Sequence, residues 1–190
     1  MNPKKYLQIV SHYESCLAQH GDTHLGVDWP RQEDADARCR VMLDLLRPRS
    51  EKVSLLDFGC GASYLLEYIN KHGVDTIAYS GLDLSAQFIR LSQSKFPATP
   101  YYHLDVLEDS GRLPSFDYVV MNGVFTEKRG LTFDEMLAYF KNVIRALFPK
   151  VNVGLAFNVM SKHVDWERED LYEVMRGEGE CAAPVVPVEA

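Results

Sequence analysis

Cysteine is scarce in this chain: four residues in 190, Cys16, Cys39, Cys60 and Cys181, with no Cys-x-x-Cys pair among them. Such spacing excludes a disulfide framework and a thiolate-rich metal site, and predicts free thiols, no bound metal and a cytoplasmic setting. Positive charge is short as well. Twenty Lys and Arg face 27 Asp and Glu, a net charge of −7, which is the wrong balance for a surface that neutralises phosphates, so nucleic acid is not the expected partner. No apolar run approaches the roughly 18 residues of a membrane span. The opening Met-Asn-Pro-Lys-Lys-Tyr leads into no uninterrupted apolar stretch, so neither export nor a membrane partner is expected. No internal repeat is visible. The 46% hydrophobic content is enough for one domain with a substantial core, and small molecules become the better candidates as ligands.

The informative stretch is 53–83. An apolar run (Val53, Leu55, Leu56, Phe58) meets Gly59 and Gly61, and Leu65, Leu66 and Ile69 then recur at helical spacing. That pattern predicts strand, glycine turn and helix. A second apolar run, 77–82, ends on Asp83, where a βαβ nucleotide site keeps its ribose-binding acid. Asp57 stands at the end of the first strand and faces the same crevice. A carboxylate there repels a pyrophosphate and attracts a sulfonium or ammonium by roughly 1 to 4 kcal/mol at about 4 Å, depending on the local dielectric. The dinucleotide fingerprint also wants Gly or Ala three residues past the second glycine, and Tyr64 stands there. Charge argues for a cationic ligand, and charge and shape together argue against a dinucleotide.

Asp57-Phe58-Gly59-Cys60-Gly61, followed by Asp83, by Leu104-Asp105-Val106 and by the run 117–122 ending in Met121-Asn122, resembles a class I S-adenosylmethionine-dependent methyltransferase over about 53–160. The resemblance implies an α/β fold: a three-layer Rossmann-like sandwich, a mostly parallel sheet with helices on both faces and an N-terminal helical cap. It also implies S-adenosyl-L-methionine as cofactor. Asp57, Gly59, Cys60 and Gly61 would surround its methionine end, Asp83 and Leu84 the ribose, Asp105 and Val106 the adenine, and Asn122 the floor where the methyl group leaves. Ser63 replaces the third glycine of the loop pattern.

Along the chain, 1–50 is expected to form the cap and lid, with helices at 4–19 and 33–46 and a loop between them carrying His20, Asp28 and Trp29. The core spans 51–168. Its helices are expected at 63–72, after Ser85, and from a capping box at Thr132 to Glu135; its third, fourth and fifth strands lie at 101–104, 118–121 and 151–160. Residues 169–190 are expected to hold a short helix and a disordered tail. The sheet of the resembled family ends in an antiparallel hairpin that cannot be written there. The fifth strand then becomes a bare edge, and either a homodimer through it or a weakly stable monomer is expected.

The predicted function is in-line transfer of a methyl group to a small-molecule acceptor. Candidate bases are His12, Tyr13, His20 and His163, and none stands out. Asp28, Trp29 and Glu127 are candidates for contact with the acceptor, with Lys128, Arg129 and Trp166 nearby in the same loops. A second reading is a cofactor-binding but catalytically silent subunit, or a truncated methyltransferase. An NAD-dependent oxidoreductase comes third, opposed by Asp57 and Tyr64.

Overall fold

The computed structural model describes residues 4–44, 46, 51–161, 173–174 and 186–187, the last two pairs through their backbone alone. Five parallel strands form the body of the sheet: β1 (Val53–Phe58), β2 (Ile77–Asp83), β3 (Tyr101–His103), β4 (Phe116–Met121) and β5 (Val151–Phe157). Their spatial order is β3-β2-β1-β4-β5, so the chain winds outward one way from β1 and then restarts on its other side. The carboxyl ends of β1 and β4 therefore border a crevice where the connections diverge, the place where open α/β sheets bind ligands.

The unbroken apolar runs of β1 and β4 follow from burial on both faces. Leu55, Tyr118 and Val120 point into a core shared with helices α2 (Gln32–Asp44) and α3 (Tyr64–Lys71), through Cys39, Met42, Leu65 and Ile69. Their neighbours Leu56, Val119 and Met121 point the other way. They meet Ile9 of α1 (Leu7–His20), Val106 of α5 (Val106–Asp109), and Met136, Val143 and Leu147 of α6 (Phe133–Leu147). Helices thus cover both faces of a mostly parallel sheet, the Rossmann-like sandwich the sequence predicts.

Local chemistry sets the helix starts. Thr132 Oγ1 accepts from the Glu135 N–H while the Glu135 carboxylate accepts from the Thr132 N–H, the expected capping box of α6. Ser85 Oγ accepts from the N–H groups of Gln87 and Phe88 and so caps α4 (Ala86–Lys95). Gly73, just beyond α3, has φ of +65°.

Three expectations need correction. The helix α2, read as part of the cap, packs with α3 in the core on the far face of the sheet, because Cys39 and Met42 form its apolar stripe. The tail, expected as a short helix and a disordered stretch, is strand where it is described: β7 (Glu173–Val174) pairs in parallel with β6 (Met160–Ser161), and β8 (Val186–Pro187) pairs antiparallel with β5, Leu155 opposite Val186 and Gly154 opposite Pro187, while the remainder of that expectation lies outside the described residues. Consequently β5 is not a wholly bare edge. Val186 is a β-branched residue of the kind strands favour, and an outermost strand tolerates the missing N–H of Pro187. Among the described residues, no helix is long and apolar enough to cross a membrane.

Candidate active site

A pocket with about 960 Å³ of space free of atoms, its mouth included, opens at the carboxyl ends of β1, β2 and β4. The turn between β1 and α3 forms one wall. Gly59 and Cys60 fold back so that both N–H groups donate to the Leu82 carbonyl, at 2.7 and 3.0 Å. This bend needs φ of +74° at Gly59, and a Cβ there would lie 2.6 Å from Val124 Cγ2. Only glycine meets both conditions without strain.

Two carboxylates converge on this pocket. Asp57, at the end of β1, is 3% exposed, and its Oδ2 accepts from the Tyr79 hydroxyl at 2.8 Å. Burial pushes its carboxyl up to about 7, against the pull of that hydrogen bond, and neighbouring Asp83 adds to the rise. Asp83, at the end of β2, accepts from the Gly61 N–H through Oδ2 at 2.9 Å and from the Ser85 N–H through Oδ1 at 2.8 Å. Its carboxyl is likewise raised by burial, while these two backbone donors hold it down and Glu14 raises it. Gly59, Cys60, Gly61, Leu84 and Asn122 line the same pocket. The Asn122 side-chain oxygen is buried and has no hydrogen-bond partner among the described residues.

Asp105 stands elsewhere. Its Oδ1 accepts from the Leu107 N–H at 3.0 Å, capping α5, and its Oδ2 accepts from the Tyr6 hydroxyl at 2.6 Å. Tyr6 stacks on Tyr139, centroids 4.9 Å apart, and it is this pair that lines the pocket. Asp105 therefore lies behind Tyr6, and Val106 is buried in the core under α6. The adenine-flanking positions implied by the resemblance are not on the pocket wall.

The remaining candidates divide. Tyr13 and Trp29 line the pocket, and the Trp29 ring lies 5.6 Å from that of Tyr64. His12, Asp28 and Glu127 do not line it. They gather around Arg129 instead: Arg129 Nη2 donates to Asp28 Oδ2 at 3.0 Å and contacts His12 Nε2, and Arg129 Nε lies 2.9 Å from Glu127 Oε2. His12, Cys16 and Asp28 place ligand-type atoms within 4.8 Å of one another, a proximity the sequence reading missed although His12 and Cys16 are four apart on one helix. The Arg129 guanidinium already supplies a cation to His12 and Asp28. His20 is exposed at the end of α1. His163 and Trp166 lie outside the described residues.

Sequence reasoning also missed Glu14, which accepts from the Ser85 hydroxyl at 2.6 Å, along with the partnership of Tyr79 with Asp57. Both are contacts between segments distant in sequence. Only the helical phase of α1 hinted at the first, since Tyr6, Ile9, Val10 and Tyr13 share the face turned to the pocket.

Strand order, glycine turn and paired acids define a nucleotide-type site in a Rossmann-like fold. A profile of the methyltransferase domain family matches residues 56–151, and the chain belongs to that family. Rv1506c of Mycobacterium tuberculosis, which bears the provisional name of a methyltransferase, is 26% identical over 125 residues, 65% of this chain and 74% of its own. Among solved structures, DesVI of Streptomyces venezuelae is similar at a TM-score of 0.52 and 22% identity over 70% of this chain and 55% of its own. The magnesium protoporphyrin IX methyltransferase of Synechocystis, solved with bound S-adenosylmethionine, has a TM-score of 0.52 and 15% identity over 76% of this chain and 62% of its own. The chain thus spans between half and two thirds of these solved relatives, whose likeness establishes the fold.

Proposed function

We propose that this chain binds S-adenosylmethionine in the pocket between β1, β2 and β4 and transfers its methyl group to a small-molecule acceptor. The observation that carries the proposal is the convergence of Asp57 and Asp83 beside the glycine turn.

The residues present fit that cofactor. Gly59 and Gly61 bring backbone to the pocket wall, Asp57 and Asp83 give negative charge and acceptor oxygens, and Asn122 offers a buried oxygen that finds no donor among the described residues. Asp57, Gly59, Cys60 and Gly61 would hold the methionine end, Asp83 and Leu84 the ribose hydroxyls, and Asn122 the donor groups near the reaction centre. When bound, the cofactor supplies a methyl group activated by its sulfonium for in-line displacement. Asp57 attracts the cation, and the turn and Asp83 fix its position. Tyr13 and Trp29 form the wall against which an acceptor is held at near-attack distance, the main source of rate in such a transfer. The acidic surface favours a small acceptor over a nucleic acid. The aromatic wall adds contact area for one.

Calorimetric titration with S-adenosylhomocysteine tests the reading: heat is expected with this ligand and none with NADH. A null result with the thioether removes the proposal. Turnover of labelled S-adenosylmethionine with a metabolite extract then separates an enzyme from a silent binding subunit.

A further inference from the structure

Ser63 sits directly after the glycine turn with φ of +62° and ψ of +36°, a left-handed conformation that a side chain disfavours. Glycine would meet that backbone with less strain. The serine is nonetheless wholly buried, as is Ser92 on α4, and the two hydroxyls belong to one chain of hydrogen bonds. Tyr101 Oη lies 2.8 Å from Ser63 Oγ, Ser63 Oγ lies 2.8 Å from Ser92 Oγ, and Ser92 Oγ lies 2.9 Å from the Gly61 carbonyl.

Proton counting fixes the direction. A carbonyl only accepts and each hydroxyl has a single proton to give. Ser92 donates to Gly61, so Ser63 must donate to Ser92, and Tyr101 must donate to Ser63. The relay runs one way, from the first residue of β3 to the glycine turn. At its end the Gly61 peptide is held on both sides, because the Gly61 N–H donates to Asp83 Oδ2 at 2.9 Å. The next carbonyl, that of Ala62, accepts from Lys95 Nζ at 2.8 Å. Gly61 and Asp83 line the pocket; Ser63, Ser92 and Tyr101 stand behind it.

We propose that Tyr101, Ser63 and Ser92 are positioning residues, a directional hydroxyl relay that sets the Gly61 peptide and, through its N–H, the rotamer of Asp83 for the bound ligand. They touch no ligand themselves. The role rests on the cofactor reading of the pocket, while the relay is a property of the free protein.

The test uses the full chain and two variants. Tyr101→Phe keeps the ring and removes the first donor, two hydroxyls away from Gly61; Ser92→Ala removes the last. In the free protein, hydrogen exchange of the Gly61 amide is expected to quicken in both. The Kd for S-adenosylhomocysteine should rise about fivefold or more, the equivalent of one net hydrogen bond. Packing alone would move Tm in Tyr101→Phe but leave Gly61 exchange and Kd at their original values, and that outcome overturns the relay. If Ser92→Ala fails to fold, Tyr101→Phe decides by itself. If the unsubstituted chain does not bind S-adenosylhomocysteine, the cofactor reading fails, while unchanged Gly61 exchange in the variants still counts separately against the relay.

Discussion

The Tyr79 hydroxyl donates to Asp57 Oδ2 at 2.8 Å, and the pair is withdrawn from solvent at 7% and 3% exposure. One neutral donor does not offset the burial of a carboxylate, so the Asp57 carboxyl titrates at about 7 instead of 3.8.

The first prediction concerns pH and ligand. A cationic ligand favours ionised Asp57, so binding of S-adenosylmethionine should tighten as pH rises from about 6 to 8, and calorimetry across that window reads it directly. Asp57→Asn should weaken binding and flatten the profile. A profile with the same slope in both proteins would place the titrating group elsewhere.

Stability should move in the opposite sense. The folded protein holds a proton on Asp57 that the unfolded chain releases near 3.8, so this contribution is full below 3.8 and is lost as pH rises toward about 7. At about 1.4 kcal/mol per pH unit the upper bound is on the order of 4 kcal/mol. Urea denaturation at pH 8 should therefore find Asp57→Asn more stable than the original chain, even though it binds ligand worse. Equal or lower stability of the variant at pH 8 would contradict the buried, raised acid.

Gly59→Ala should cost stability by two separable routes. The φ of +74° penalises any side chain, and the new Cβ would lie 2.6 Å from Val124 Cγ2. A loss of about 2 kcal/mol or more is expected from strain and overpacking together. Adding Val124→Ala should recover the contact part and leave the backbone part. Thermal unfolding of the single and double variants reads the two routes, and no recovery in the double variant would mean that the contact is unimportant.

Arg129 joins three segments by facing Asp28 and Glu127 and contacting His12. Glu127 is 5% exposed, so Arg129→Ala leaves a buried acid without this cation and should destabilise the fold by about 2 kcal/mol or more. Arg129→Lys should fall between, since one ammonium cannot reproduce the planar fork. Denaturant midpoints of the two variants decide, and a shift within the noise for Arg129→Ala would demote the cluster to a surface feature.

Much of the site is legible in sequence because it is local. Asp57, Gly59, Gly61 and Asp83 belong to a strand, a turn and the next strand end, and alternation and glycine spacing place them without tertiary knowledge. Asp105 shows where that stops. An acid directly after a strand looks the same whether it caps a helix or faces a ligand, and here the Leu107 N–H and the Tyr6 hydroxyl occupy it. The contacts of Tyr6, Glu14 and Tyr79 were hard to read for a related reason: their partners lie 99, 71 and 22 residues away, and periodicity can show which face of a helix is turned inward but not what it meets. The strand β8 escaped because a proline within a short valine run reads as coil until an open sheet edge is known to await it.

The face of α1 that looks into the pocket, with Val27 and Trp29 beside it, comes wholly from chain that precedes β1, whereas the paired acids belong to the strands. Roof and foundation are thus written in separate stretches of the gene. Replacing the stretch before β1 with another of the same helical phase would therefore redraw the upper wall of the pocket and leave the charged seat beneath it intact.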